Sequence, residues 1–166
     1  MTKAATPRRV VHHTTVVERR FDAVPARVFA AWADAAERVK WDWPGEDWEL
    51  AELKQTFRVG GRESARFGPK GHPDFWNDGR YLDIVANVRI VSAGTMHEGE
   101  ARISATLCTI EFHADGAGTR LAVTDQSAFL DGRESPKERR SGWGTIFDRL
   151  EKYLASTQEK HDEPGR

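Results

Sequence analysis

Hydrophobic and polar positions in this chain follow a two-residue rhythm, then a short helical one, then the two-residue rhythm again, and close on a long helical stripe. From Val10 to Phe21 the residues are β-branched and alternate, with Val11, His13, Thr15, Val17, Arg19 and Phe21 on one face, which predicts a long strand. Pro25 stands where proline opens a helix, and Val28, Phe29 and Trp32 follow at helical spacing, so a short helix runs to about Asp34. A second short helix, Ala35 to Lys40, leads into Trp41-Asp42-Trp43-Pro44-Gly45-Glu46-Asp47-Trp48. Proline and glycine forbid regular structure there, so its tryptophans are displayed from a loop or helix end.

From Glu49 the pattern turns to strands. Leu53 to Val59 and Arg62 to Phe67 flank Gly60-Gly61, which reads as a hairpin turn. After a loop from Gly68 to Pro73, strands run from Phe75 to about Ala86, Val88 to Met96, Ala101 to Phe112 and Thr119 to Phe129. The short connections Glu98-Gly99 and Asp115 to Gly118 make this an antiparallel meander. Ser135-Pro136-Lys137-Glu138 then supplies an N-cap serine, a proline at the first helical position and the glutamate of a capping box. Trp143, Ile146, Phe147, Leu150, Tyr153 and Leu154 follow as one apolar stripe. Gly142 and Gly144 each cost this helix about 1 kcal/mol relative to alanine, which asks for a packing reason, a backbone approaching on either side of Trp143. The order is one strand, two short helices, six strands and a long helix: an α+β domain of about seven strands, curved around the last helix, with an apolar hollow between them.

At 166 residues the chain suits one domain, expected over residues 10–156, with polar tails at 1–9 and 157–166. A formal net charge of −1 gives no whole-surface attraction for nucleic acid or anionic lipid. The local basic cluster Arg133, Lys137, Arg139 and Arg140 reads as the solvated start of the last helix. Cys108 is the only cysteine, which excludes an intrachain disulfide and a thiolate zinc site; its apolar strand makes it a small buried hydrophobe. The first residues lack the apolar stretch of a signal peptide and no segment reaches the ~18 apolar residues of a membrane span, so the expected compartment is the cytosol.

The chain resembles the START-like (SRPBCC, helix-grip) superfamily, and within it the family named for the activator of the 90-kDa heat-shock protein ATPase. The residues that carry the resemblance are Arg19 to Pro25, Val28 to Asp34, Trp41 to Pro44, Val59-Gly60-Gly61, Gly79 to Ile84, Gly118 to Leu121 and Gly142-Trp143 with the helix after it. It spans about His12 to Leu154. Two positions depart from the family pattern: Asp42 separates Trp41 from Trp43, and Ala86-Asn87 stands where the family usually has proline. Both fall where a pocket mouth would be, so the resemblance implies a helix-grip fold and a cavity, and carries over neither a ligand type nor a catalytic set.

Alternation puts Leu121, Val123, Asp125, Ser127 and Phe129 on one inward face, and Thr106, Cys108, Ile110 and Phe112 on the matching face of the strand before. Asp125 is the weak candidate for acid–base chemistry: a carboxylate facing an apolar hollow is costly unless paired. The alternative is an Asp125 wetted near the sheet edge or paired with an arginine. Trp41, Trp43, Trp48, Trp76, Tyr81, Phe129, Trp143 and Phe147 would give flat walls suited to an aromatic ligand, with Trp43, Trp48 and Trp76 at the mouth. The polar groups expected to orient a ligand are Asp125, Tyr81, Thr106 and His97. Adjacent His12 and His13 point to opposite faces, and His72, His97 and His113 fall in turns or at strand ends, so no metal site is expected. Nucleophile elbows and phosphate loops are absent, and no cofactor is called for.

The reading these observations support is reversible binding of a small, largely apolar or aromatic molecule. The resemblance implies two alternatives: a cyclase or dehydratase acting on a polyketide-type substrate with Asp125 as acid–base group, and a protein-interaction module like the eukaryotic chaperone activators. The second ranks last, because those activators add a domain for the chaperone contact that is not found in these residues. A homodimer stays open, since a partner could cover the Trp43–Trp48 loop.

Overall fold

A computed structural model of the chain describes residues 8–162, with side-chain surroundings as far as residue 158. The elements are β1 (Val10–Phe21), α1 (Pro25–Ala33), α2 (Ala35–Arg38), β2 (Trp48–Gln55), β3 (Arg62–Pro69), β4 (Phe75–Val85), β5 (Arg89–Glu98), β6 (Ala101–Asp115), β7 (Gly118–Leu130) and α3 (Pro136–Asp162). One seven-stranded sheet, antiparallel throughout, has the order β1-β7-β6-β5-β4-β3-β2. Six strands therefore follow the chain as a meander, and β1 returns to pair along β7 from Val10 opposite Leu130 to Phe21 opposite Thr119.

The α+β helix-grip architecture expected from the pattern is the one observed. In β7, Leu121, Val123, Asp125, Ser127 and Phe129 are all buried, as period-two alternation requires of one inward face. Val28, Phe29, Ala31 and Trp32 bury the inner side of α1. On α3, Phe147, Leu150 and Leu154 reach the core, Phe147 meeting Phe21 edge-on at 5.7 Å. The start of α3 is a complete capping box: Ser135 N donates to Glu138 Oε2 at 2.7 Å, and Glu138 N donates to Ser135 Oγ at 3.2 Å.

The region around the first hairpin differs from expectation. β2 starts at Trp48, not Leu53, and ends at Gln55, so residues 56–61 form a wide turn instead of a two-residue one. Phe57 is the cause. It turns inward against Phe29 at 5.7 Å and Tyr81 at 5.1 Å, which takes it out of the ladder. The turn then pins itself to β4, with Gly60 N donating to Tyr81 O at 2.8 Å and Tyr81 N to Gly61 O at 3.0 Å. Gly61 is required there because a Cβ would lie 1.9 Å from Thr56 O. At the other end, α3 continues through 157–162, where a tail was expected. Of the expected N-terminal tail, residues 1–7 lie outside the described residues, while Arg9 is already held by Asp131, its N donating to Oδ1 at 2.9 Å.

The two helix glycines separate. A Cβ at Gly142 would sit 3.2 Å from Pro44 Cβ, so this glycine lets the tryptophan-rich loop against the helix through a side chain, not a backbone. Gly144 has no neighbour within 4 Å of a would-be Cβ, and the expected packing reason is absent. Replacing Gly144 with alanine should therefore raise stability in urea unfolding by about 0.5–1 kcal/mol, the ordinary helix-propensity gain. Gly142→Ala should not share that gain, and a loss of stability in Gly144→Ala would contradict the assignment.

Candidate functional site

Between the inner face of the sheet and the first half of α3 lies a cavity of about 750 Å³. Its apolar wall comes from Trp32 on α1, Phe57 in the wide turn, Phe67 and Phe75 on β3 and β4, Ile90, Ile103 and Ile110 on β5 and β6, and Trp143 and Ile146 on α3. Two clusters of charge interrupt this wall.

The first cluster surrounds Arg38, only 7% exposed at the end of α2. Its guanidinium donates to Asp42 Oδ2, one turn on, to Glu63 Oε2 on β3, and to Gln55 Oε1 on β2 at 2.7 Å. Tyr81 of β4 donates its hydroxyl to Glu63, and the Gln55 amide donates to Ala33 O at 2.8 Å. Burial works against the Arg38 charge, but Glu63 and Asp42 outweigh it and hold the guanidinium well above its ordinary value. Burial likewise works to raise the Glu63 carboxyl, and Arg38 with the Tyr81 hydroxyl reverses that, leaving it below the usual carboxylate value. The Tyr81 phenol is pushed far up by burial and then by Glu63, so it stays protonated.

The second cluster surrounds Arg139 in the first turns of α3. Arg139 donates to Asp125 Oδ2 at 3.0 Å, to Glu134 Oε1 and Oε2 at 2.7 and 2.8 Å, and to Ser104 Oγ at 2.9 Å. Asp125 is 2% exposed and also accepts from Ser127 Oγ and from Trp143 Nε1, the latter at 2.9 Å. Burial lowers Arg139, yet Glu134 and Asp125 more than offset it and keep its pKa well raised. The expectation that Arg139 belongs to a solvated helix start is therefore corrected: it is 8% exposed and inserted between sheet and helix. Arg139 lies four residues before Trp143, on the same helix face, and that spacing was the signal to heed.

Of the residues expected to form the site, Trp48, Tyr81, Thr106, Asp125 and Trp143 line the cavity. The others sit elsewhere. Trp41 is fully buried, edge-on to Trp32 at 4.7 Å. Trp43 lies under the Arg149 guanidinium, 4.5 Å from its ring centre, while Arg149 also donates to the carbonyls of Trp43 and Gly45. Trp76, 37% exposed, stacks on His97 at 3.7 Å, and neither faces the cavity. Phe129 packs beneath Arg139 at 5.2 Å, and Phe147 belongs to the core. Sequence reasoning missed Arg38, Asp42, Gln55, Glu63, Glu134 and Arg139. Cys108 also lines the cavity, its thiol driven far up by burial, with Asp125 and Glu63 adding to the shift, so it is not a thiolate nucleophile. No helix among the described residues is long and apolar enough to cross a membrane.

A curved antiparallel sheet closed by one long helix over a lined hollow defines a helix-grip protein of the START-like superfamily. Residues 22–155 match the family described as activator of Hsp90 ATPase homolog 1-like protein, and the chain belongs to that family. Among solved structures, Mll3558 of Rhizobium loti is 40% identical over 88% of this chain and 99% of its own, with a TM-score of 0.79. An uncharacterized protein of Rhizobium leguminosarum is 36% identical over 91% of this chain and 99% of its own, with a TM-score of 0.82. DynU16, a protein in the dynemicin biosynthetic locus, is 16% identical over 87% of this chain and 48% of its own, with a TM-score of 0.63, a likeness of fold alone. No curated protein matches the chain.

Glu63 has a lowered pKa in the folded chain, so its stabilising contribution is complete above the ordinary carboxylate value and is lost as pH falls through the folded value. Glu63→Gln should cost about 3 kcal/mol in urea unfolding at neutral pH, because it leaves Arg38 buried with one fewer carboxylate. Below the carboxylate range the gap between wild type and variant should narrow. A gap independent of pH would contradict the ion-pair assignment.

Proposed function

We propose that this protein binds a small, largely apolar or aromatic molecule reversibly in the cavity beneath α3. The observation that carries this reading is the cavity itself, about 750 Å³ with aromatic and aliphatic walls, inside the range of about 300–1,000 Å³ typical of small-molecule sites. Burying ~200–300 Å² of ligand apolar surface at about 25 cal/mol per Å² supplies roughly 5–8 kcal/mol before association costs. That is enough for micromolar binding in a preformed site.

The cyclase or dehydratase alternative draws on the superfamily and on the fold shared with DynU16. It is weakened here by Asp125, whose two oxygens are already occupied by Arg139, Ser127 and Trp143. A carboxylate so held has both oxygens engaged before any substrate arrives, and freeing it would strand a buried guanidinium. The protein-interaction alternative needs a large exposed apolar patch away from the cavity. The exposed large hydrophobics belong to several different elements and loops, among them Val10 on β1, Val24 before α1, Val59 in the wide turn, Leu82 on β4 and Leu107 on β6.

The test is a thermal-shift screen of aromatic and alicyclic compounds against the wild type and Cys108→Phe, a substitution that fills the cavity from β6. A ligand at ~100 times its dissociation constant should add about 2.7 kcal/mol, a shift of several degrees. Cys108→Phe should lose the shift while remaining folded. A panel that stabilises neither protein, or both equally, contradicts the proposal.

A further inference from the structure

We infer that the cavity selects its ligand by charge, favouring a protonated amine on an apolar skeleton, then a neutral alcohol, and rejecting a carboxylate. This rests on the ligand-binding reading above and specifies the head group that such a ligand carries.

The two clusters differ in what they leave open. At Arg139 every carboxylate oxygen is used: both of Glu134 by the guanidinium, and both of Asp125 by Arg139, Ser127 and Trp143. That cluster offers an entering ligand only oxygens already shared with Arg139, Ser127 or Trp143. At Arg38 the bonds converge on one oxygen of each partner, Asp42 Oδ2 and Glu63 Oε2. Asp42 Oδ1 and Glu63 Oε1 accept no hydrogen bond among the described residues. Both side chains line the cavity, with 15% and 20% of their surface accessible. Neither free oxygen is among the sealed, unpartnered atoms of the described residues. They are unfilled acceptors on cavity-lining side chains, whereas the guanidinium beside them already donates to Asp42, Glu63 and Gln55.

Charge points the same way. Two arginines, Arg38 and Arg139, face four carboxylates, Asp42, Glu63, Asp125 and Glu134, so the interior clusters carry two net negative charges. Apolar walls leave that field poorly screened. The other cations of the lining, Arg133 and Lys137, are exposed, where water and salt weaken their pull. An entering carboxylate would lose its hydration and meet the net negative charge of the two clusters, while an ammonium would find two free oxygens in a wall that also holds the aromatic rings of Trp48, Phe57 and Phe67.

Three probes on one skeleton test this: anthracenylmethylamine, anthracenylmethanol and anthracene carboxylate, substituted at the same ring position and titrated by fluorescence at neutral pH. The amine should bind at least about tenfold tighter than the carboxylate, with the alcohol between them. In Asp42→Asn, which keeps an acceptor oxygen for Arg38 but removes one charge, the ratio of amine to carboxylate affinity should fall severalfold. The wild-type comparison needs no variant, so a poorly folded Asp42→Asn leaves it decisive. Equal binding of all three probes would overturn charge selection while keeping the cavity as a binding site, and tighter carboxylate binding would overturn it outright. Binding of none of them would overturn both this inference and the ligand-binding reading.

Discussion

Arg38 ties one helix to three strands: from α2 it reaches Gln55 on β2, Glu63 on β3 and Tyr81 on β4. A buried guanidinium survives only with charge partners and full hydrogen bonding, and Asp42 and Glu63 supply both. The consequence reaches beyond local stability. α3 packs chiefly along β1, at the opposite edge of the sheet from β2, and leaves β3 and β4 without a helix packed along them. Those strands form one wall of the hollow. The wide turn at 56–61 and the Arg38 cluster hold that wall to α1 and α2.

A second cluster does the same work from the other direction. Arg139 stitches the opening of α3 to β6 and β7 through Ser104, Asp125 and Ser127. The helix is thus fixed at its first turns by ions and further along by Phe147, Leu150 and Leu154. An unfilled apolar cavity costs stability, and ordinary side chains would collapse to remove it. Here Arg38 and Arg139 hold α2 and the start of α3 to the sheet, and closing the hollow would cost them buried charge partners. That is a physical reason for a hollow of ligand size to persist in so small a domain, and for its polar groups to be directional.

The fold was legible where one period dominated. β7 alternates cleanly because its outward positions are polar or small, and the capping box at Ser135 marks α3 without ambiguity. Legibility failed where a side chain reversed its local role. Phe57 leaves its strand to enter the core, so the Gly60-Gly61 pair looks like a simple hairpin when it is the tip of a longer turn. Trp41 sits in a proline- and glycine-rich stretch that suggests display, yet it is wholly enclosed against Trp32. Of the site, the inward positions of regular strands, Tyr81, Thr106 and Asp125, could be read from alternation. Arg38 and Glu63 could not, because a buried arginine is defined by partners distant in sequence, here 25 residues apart, while Arg139 offered only its spacing to Trp143, its partner Asp125 lying 14 residues away.

The ligand-binding reading therefore depends on a wall that an ion cluster keeps in place, and amide hydrogen exchange on Arg38→Met tests that dependence most directly. With the cluster broken, the amides of β3 and β4 should lose protection by far more than those of β1, β6 and β7, whose contact with α3 is intact. Equal loss across the sheet, or unchanged protection in β3 and β4, would mean that the wall stands without Arg38.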